Sequence, residues 1–226
     1  MFDQSLLNDR FYSEIYPKIR SAEEENKKAN WEKRMIDRKS CEENAVALLS
    51  KPITEITPED IYVREAKGIN SYGALNLLDV DNYDSNGVPA QHRFGVLMSN
   101  ISRNLYPAKQ YYAVDKDYFK ILRERIVNLL SAKDDENIER SYNALCGVRG
   151  VRAALCTVLL YAEDSKNYNV MTPALVKAII DNDNKPQESF SFYLKYNQFV
   201  NQFKNKFNFQ PQEIDLILFG IGAKNK

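Results

Sequence analysis

The chain has 226 residues, 31 basic and 31 acidic side chains, and a hydrophobic content of 44%, which is enough material for one large domain or two small ones around a buried core. No apolar run approaches the roughly 20 residues that cross a bilayer, and Met1-Phe2-Asp3-Gln4-Ser5 lacks the basic and apolar regions of a signal peptide, so no membrane-crossing helix is expected and an intracellular protein is. Zero net charge removes any global electrostatic case for nucleic acid, but residues 101 to 226 carry 18 Lys and Arg against 14 Asp and Glu, while residues 1 to 100 carry 13 against 17.

Residues 3 to 20 place Leu6, Leu7, Phe11, Ile15, Tyr16 and Ile19 at helical spacing, and Pro17 predicts a break there. Ser21 to Ser50 reads as a long helix with a polar start, Glu23 to Lys28, and an apolar face formed by Trp31, Met35, Ala45, Val46, Leu48 and Leu49. Its charged run is a solvated face or a surface for a protein partner. Thr57-Pro58-Glu59-Asp60 has the cap, proline and acids of a helix start. Gly68 to Gly73 marks a loop, Ala74 to Val80 a short apolar segment, and Asp79 to Pro89 the longest turn-like stretch. Its aspartates are calcium-type ligands, but counted from Asp79 the glycine falls ninth and Ala90 twelfth, which does not fit an EF-hand loop. A solvated loop is the expectation.

Gln91 to Tyr106 returns to helical spacing, with His92 near its start and Pro107 closing it. His92 has no Ser or Cys partner by spacing and reads as a surface or capping residue. Tyr111 and Tyr112 offer rings that stack on a displaced base or pack on the next helix. Asp115 caps a helix from Lys116 to Ser131, and Asp134 or Asp135 starts another that runs to Leu145. Ala153 to Ala162 is apolar nearly all round and is expected to be buried. Thr172-Pro173 repeats the cap-and-proline pattern and opens a helix through Ile180; Asp181 to Pro186 is a polar loop, Ser189 to Phe207 an aromatic-rich helix, Gln210 to Phe219 an amphipathic one, and Ala223 to Lys226 a polar tail. Alternating strand patterns are nearly absent, so the fold class is all-α, with a helical lobe at 1–107 and a second helical domain at 108–226.

Cys41, Cys146 and Cys156 are an odd and widely separated set, which predicts reduced thiols. With one histidine and no cysteine pair at ligand spacing, neither a metal nor a cofactor is expected.

The stretch that organises the chain is Leu145-Cys146-Gly147-Val148-Arg149-Gly150-Val151-Arg152-Ala153-Ala154. Two glycines three apart between helical sequences predict a tight hairpin or, as the plainer alternative, a glycine C-cap followed by a buried helix. Backbone N–H groups at the start of the second helix, with Arg149 and Arg152 beside them, make a phosphate the natural ligand. The candidate nucleic-acid-binding residues are therefore Gly147, Val148, Arg149, Gly150, Val151 and Arg152.

The hairpin, the apolar helix after it, the loop Glu163 to Asn167, the segment Tyr168-Asn169-Val170-Met171-Thr172 and two closing helices resemble the helix-hairpin-helix DNA glycosylase superfamily over residues 115 to 222. The resemblance implies a glycosylase-like helical domain with additional N-terminal helices, contact with DNA through its phosphate backbone, and a place in DNA repair. It departs from the family where the catalytic aspartate would stand, at Met171 or Thr172, and at the lyase lysine, where Val151 or Arg152 falls. The glycines are spaced Gly-x-x-Gly instead of Gly-x-Gly. The implied function is DNA binding without the usual catalytic aspartate. A DNA N-glycosylase using Asp164, Asp181 or Asp183 instead is one alternative, with the catalytic residues then unknown, and a helical scaffold that binds protein partners through the N-terminal helices is another.

Overall fold

The structure, a computed structural model, describes residues 2–25, 35, 39, 42–43, 46–47, 50–61, 101, 104–105, 114–180 and 187–224. Most of the long helix expected over 21–50 lies outside the described residues, as do His92, the acidic stretch at 79–89, Tyr111, Tyr112, the expected domain boundary at 107, Asp181 and Asp183. The described residues are predominantly helical and contain no strand, so the chain is all-α there.

α2 (Pro58–Ile61) begins at the residue after Thr57, and the central helices follow their caps and apolar spacing closely. α3 (Lys116–Ser131) starts where the Asp115 carboxylate accepts from the N–H groups of Asp117 and Tyr118, and buries Leu122, Ile126, Leu129 and Leu130 on one face. α4 (Asp135–Cys146) starts where Asp134 accepts from Asn137 N–H, carries Asp135 and Glu136 in its first turn, and buries Ile138, Tyr142 and Leu145. α5 (Ala153–Glu163) buries every residue from Ala153 to Ala162. It packs against both α3 and α4. At roughly 1.5–3 kcal/mol for each large aliphatic side chain taken out of water, Leu155, Val158, Leu159 and Leu160 contribute on the same scale as the four buried aliphatics of α3.

Beyond α5, Thr172 caps α6 (Pro173–Lys177) by accepting from Leu175 N–H. That helix is shorter than its apolar spacing predicts. Ile180 leaves it to form an antiparallel bridge with Phe2, and Ile179 carbonyl oxygen accepts from Asp3 N–H at 2.8 Å, so an extended N-terminal strand of backbone competes successfully with another helical turn. α7 (Phe190–Phe207) begins at the Ser189 cap and ends at Asn208, whose φ of 55° is left-handed.

The last helix also differs from expectation. A short 3-10 turn (Pro211–Glu213) leads into α8 (Ile214–Lys224), and Ile214 to Leu218 are buried without interruption, so this part of the helix is enclosed, not amphipathic, and the helix runs past Phe219 to Lys224. It lies between α1 (Tyr16–Glu25) and α6. Gly220 permits the approach to α1, because a β-carbon there would run into Ile19.

Pro17 does not break the N-terminal helix. A 3-10 turn (Gln4–Leu7) and a π-helical turn (Phe11–Ile15) precede α1, and Pro17 is its second residue. Tyr16 N–H bonds back five residues to Phe11, so the ladder is already displaced where proline withdraws its own donor. Phe11 packs edge-on to Phe203 of α7, and Phe2 stacks on Phe199. Leu6, Phe11 and Ile19 thus share one hydrophobic core with α3 to α8.

Candidate nucleic-acid interface

The turn between α4 and α5 is pinned by two valines and open at its cations. Val148 and Val151 are 7% and 4% exposed, whereas Gly147, Arg149 and Arg152 are exposed and Gly150 is half-buried. Backbone bonds from Gly147 to Asn143, Val148 to Leu145 and Val151 to Val148 tighten the turn. Gly150 has φ 86°, a conformation that favours glycine, whereas Gly147 caps α4 with an ordinary right-handed φ of −73°. Only the second glycine is required by backbone conformation.

The tip is also held from outside. Arg149 carbonyl oxygen accepts from Tyr118 Oη at 2.8 Å and from Asn104 Nδ2 at 3.3 Å. Burial pushes the Tyr118 phenol up to about 12, with Arg149 opposing and Asp115 adding to the shift. Arg152 is the N-cap of α5 and makes no side-chain capping bond. Ala153 and Ala154 behind it are buried, so the accessible chemistry of the turn is narrower than the six-residue stretch and centres on Arg149, Gly150 and Arg152.

Arg152 is not isolated. Its Nη1 lies 3.4 Å from Glu188 Oε2, with both side chains more than half exposed. Such a pair contributes about 0–1 kcal/mol in water. A phosphate ligand therefore has only a weak internal competitor to displace.

The second stretch implied by the resemblance, after α5, has a different character. Thr172 is the neutral cap of α6 and Met171 is buried; neither side chain supplies a carboxylate. Asp164 accepts from the N–H groups of Lys166 and Asn167 and, at 2.6 Å, from Asn167 Nδ2, which commits it to its own turn. α7 then staples the loop. Lys204 Nζ donates to the carbonyls of Ser165 and Lys166, Asn197 and Asn201 both donate to that of Asn167 at 2.8 Å, Tyr193 Oη donates to Asn169 and Tyr196 Oη to Val170. Asn197 Oδ1 accepts from Asn169 N and Nδ2, and Thr157 Oγ1 from Met171 N. Burial lowers the Lys204 ammonium below its usual range, with Asp164 opposing.

The spacing argument missed the two thiols at the hairpin's base. Cys146 ends α4 and Cys156 lies in the second turn of α5, and their sulfurs are 3.2 Å apart, both free. Both thiols are free, as expected, but the fold brings this pair, ten residues apart in sequence, into contact. Ten residues spanning a helical hairpin is the signal that could have revealed it, since the returning helix passes the end of the first. Among the described residues no group of three or more His, Cys, Asp or Glu is placed to hold a metal ion. No described helix is long and apolar enough to cross a membrane.

Compared with known proteins, the chain matches no family model, no curated protein and no solved structure.

Proposed function

We propose that the protein binds DNA through one backbone phosphate held at the α4–α5 turn, in a helix-hairpin-helix, glycosylase-like arrangement that lacks the usual catalytic aspartate. The observation that carries this reading is the division of labour within the turn: Val148 and Val151 are buried, while Arg149 is exposed in the turn itself and Arg152 is exposed at the start of an 11-residue helix with no side-chain cap. Two cations on a fixed backbone beside a helix N-terminus favour an anion without further ordering of the chain. Thr172 supports a binding role over base excision, because the acid-bearing position of the family carries a neutral cap.

The test is binding of labelled duplex and single-stranded DNA across a salt series, with an Arg149→Ala, Arg152→Ala variant alongside. Wild-type binding should fall with salt, and the variant should bind more weakly with a salt slope reduced by about 1, since each neutralised phosphate contributes roughly 0.9 to that slope on duplex DNA. Glu188→Gln should strengthen binding by releasing Arg152. Absence of salt-dependent binding by the wild type would remove the reading.

A second reading, a scaffold that docks protein partners through its N-terminal helices, is favoured by Tyr12. Its ring is 48% exposed while stacking on Tyr16 and Phe207, which gives an outward aromatic face on a packed base.

A further inference from the structure

We infer that Cys146 and Cys156 form a dithiol modification site that low-molecular-weight disulfides, such as oxidised glutathione, convert reversibly to an intrachain disulfide across the base of the hairpin. The inference rests on placement and goes beyond the DNA-binding reading. The two sulfurs already touch at 3.2 Å. Bonding requires a further approach of about 1 Å, to the roughly 2.05 Å of a disulfide. The helices that carry them are joined directly through the turn, so no distant segment has to move.

The two thiols are also unequal in a way that assigns their roles. Cys146 is half-buried at the end of α4, and Cys156 is fully buried within α5. The hydrogen bond from Cys156 favours the Cys146 thiolate and Arg152 assists, while burial and Glu188 oppose; the Cys146 thiol is lowered on balance. Burial, and then the bond to Cys146, raise Cys156 well above the usual thiol range. Cys146 is therefore the thiol that meets the reagent, and Cys156 the one that resolves.

The chemistry balances with the named oxidant. Cys146 thiolate attacks one sulfur of the small disulfide, forming a mixed disulfide and expelling one thiolate. Cys156 gives up its proton, attacks the Cys146 sulfur and expels the second thiolate. The protein loses two hydrogens, and one small disulfide becomes two small thiols. The product ring encloses Gly147 to Arg152, the whole turn that presents the exposed arginines.

The experiment equilibrates the full-length chain, carrying Cys41→Ser to remove the third thiol, over a series of glutathione redox ratios. Thiols are trapped by acid and alkylation, then read by intact and peptide mass. The expected result is joint loss of both alkylatable thiols, a cross-linked peptide pair containing Cys146 and Cys156, and full return on reduction. Cys156→Ala should instead accumulate a glutathione adduct on Cys146. Cys146→Ser, a change at the half-exposed position that leaves the buried one intact, should show neither bridge nor adduct. Retention of both thiols under excess oxidised glutathione would overturn the inference. So would a stable Cys146 adduct with Cys156 present, or preferential adduct formation at Cys156 in folded Cys146→Ser.

Discussion

The two connections that flank α5 are opposites. The turn before it is set by two buried valines and a left-handed glycine, with the Arg149 and Arg152 side chains outward. The loop after it, Asp164 to Thr172, is held at one carbonyl after another by Asn197, Asn201, Lys204, Tyr193 and Tyr196 of α7. In the resemblance to DNA glycosylases the first connection binds DNA and the second supplies the acid. Here polar side chains are spent on architecture in the second and remain exposed in the first. The difference teaches that two connections of one helix can differ in accessible chemistry according to how far the packing around each has already engaged its polar groups.

The sharpest way to break the comparison is at Asn197. Asn197→Ala removes the oxygen that accepts from both amides of Asn169; Asn201 still accepts from Asn169 Nδ2 and still donates to Asn167, so Asn169 N–H is the group left without its acceptor. With a buried unsatisfied polar group costing about 1–3 kcal/mol, the expected loss is in that range, measured by urea unfolding. A loss below about 1 kcal/mol would show the loop to be held by packing.

The turn before α5 should yield smaller changes with a defined asymmetry. Gly150→Ala forces a side chain into a φ of 86°, at about 1–2 kcal/mol. Gly147→Ala meets only ordinary contacts with the carbonyls of Ala144 and Asn143, and should be neutral or stabilising by up to about 1 kcal/mol. Equal effects in thermal or urea unfolding would contradict the backbone assignment.

Alkaline titration gives a third contrast. The Tyr118 phenol is raised from about 10 to about 12, so between those values the folded chain keeps a proton that the unfolded chain has released. Its stability contribution is full below pH 10 and is lost as pH rises toward 12. Tyr16 is also raised to about 12, by burial and then by Glu213, and follows the same sign. Urea midpoints should fall over this interval, and less steeply in Tyr118→Phe. An unchanged slope in the variant would separate Tyr118 from the effect.

The smallest expected change is in stability of Arg149→Ala and Arg152→Ala. Both side chains are exposed, so each should stay within about 0.5 kcal/mol of the wild type. A larger loss would make the arginines structural and weaken their role as ligands for phosphate.

Much of this organisation was legible locally. Asp115 and Thr172 were readable as caps, and Asp134 or Asp135 as a helix start, because an N-cap bond closes within three residues, and α5 as buried because its apolar residues leave no polar face. The hairpin was legible from its glycines, but not which one needs a left-handed conformation. Pro17 misled because a π turn ahead of it absorbs what proline disrupts. The end of α6 was hidden because its competitor is the backbone of Asp3, remote in sequence.

By itself the sequence determined the all-α class, the main helix starts and a hairpin bearing two arginines, since each follows from interactions within a few residues. Tertiary structure alone decided that Arg152 faces Glu188, that the loop after α5 is consumed by α7, that side chains between Phe2 and Ile19 enter the C-terminal core, and that Cys146 meets Cys156. These depend on which side chains the packing of helices brings together, and a contact across 28 or 36 residues leaves no periodic trace along the chain.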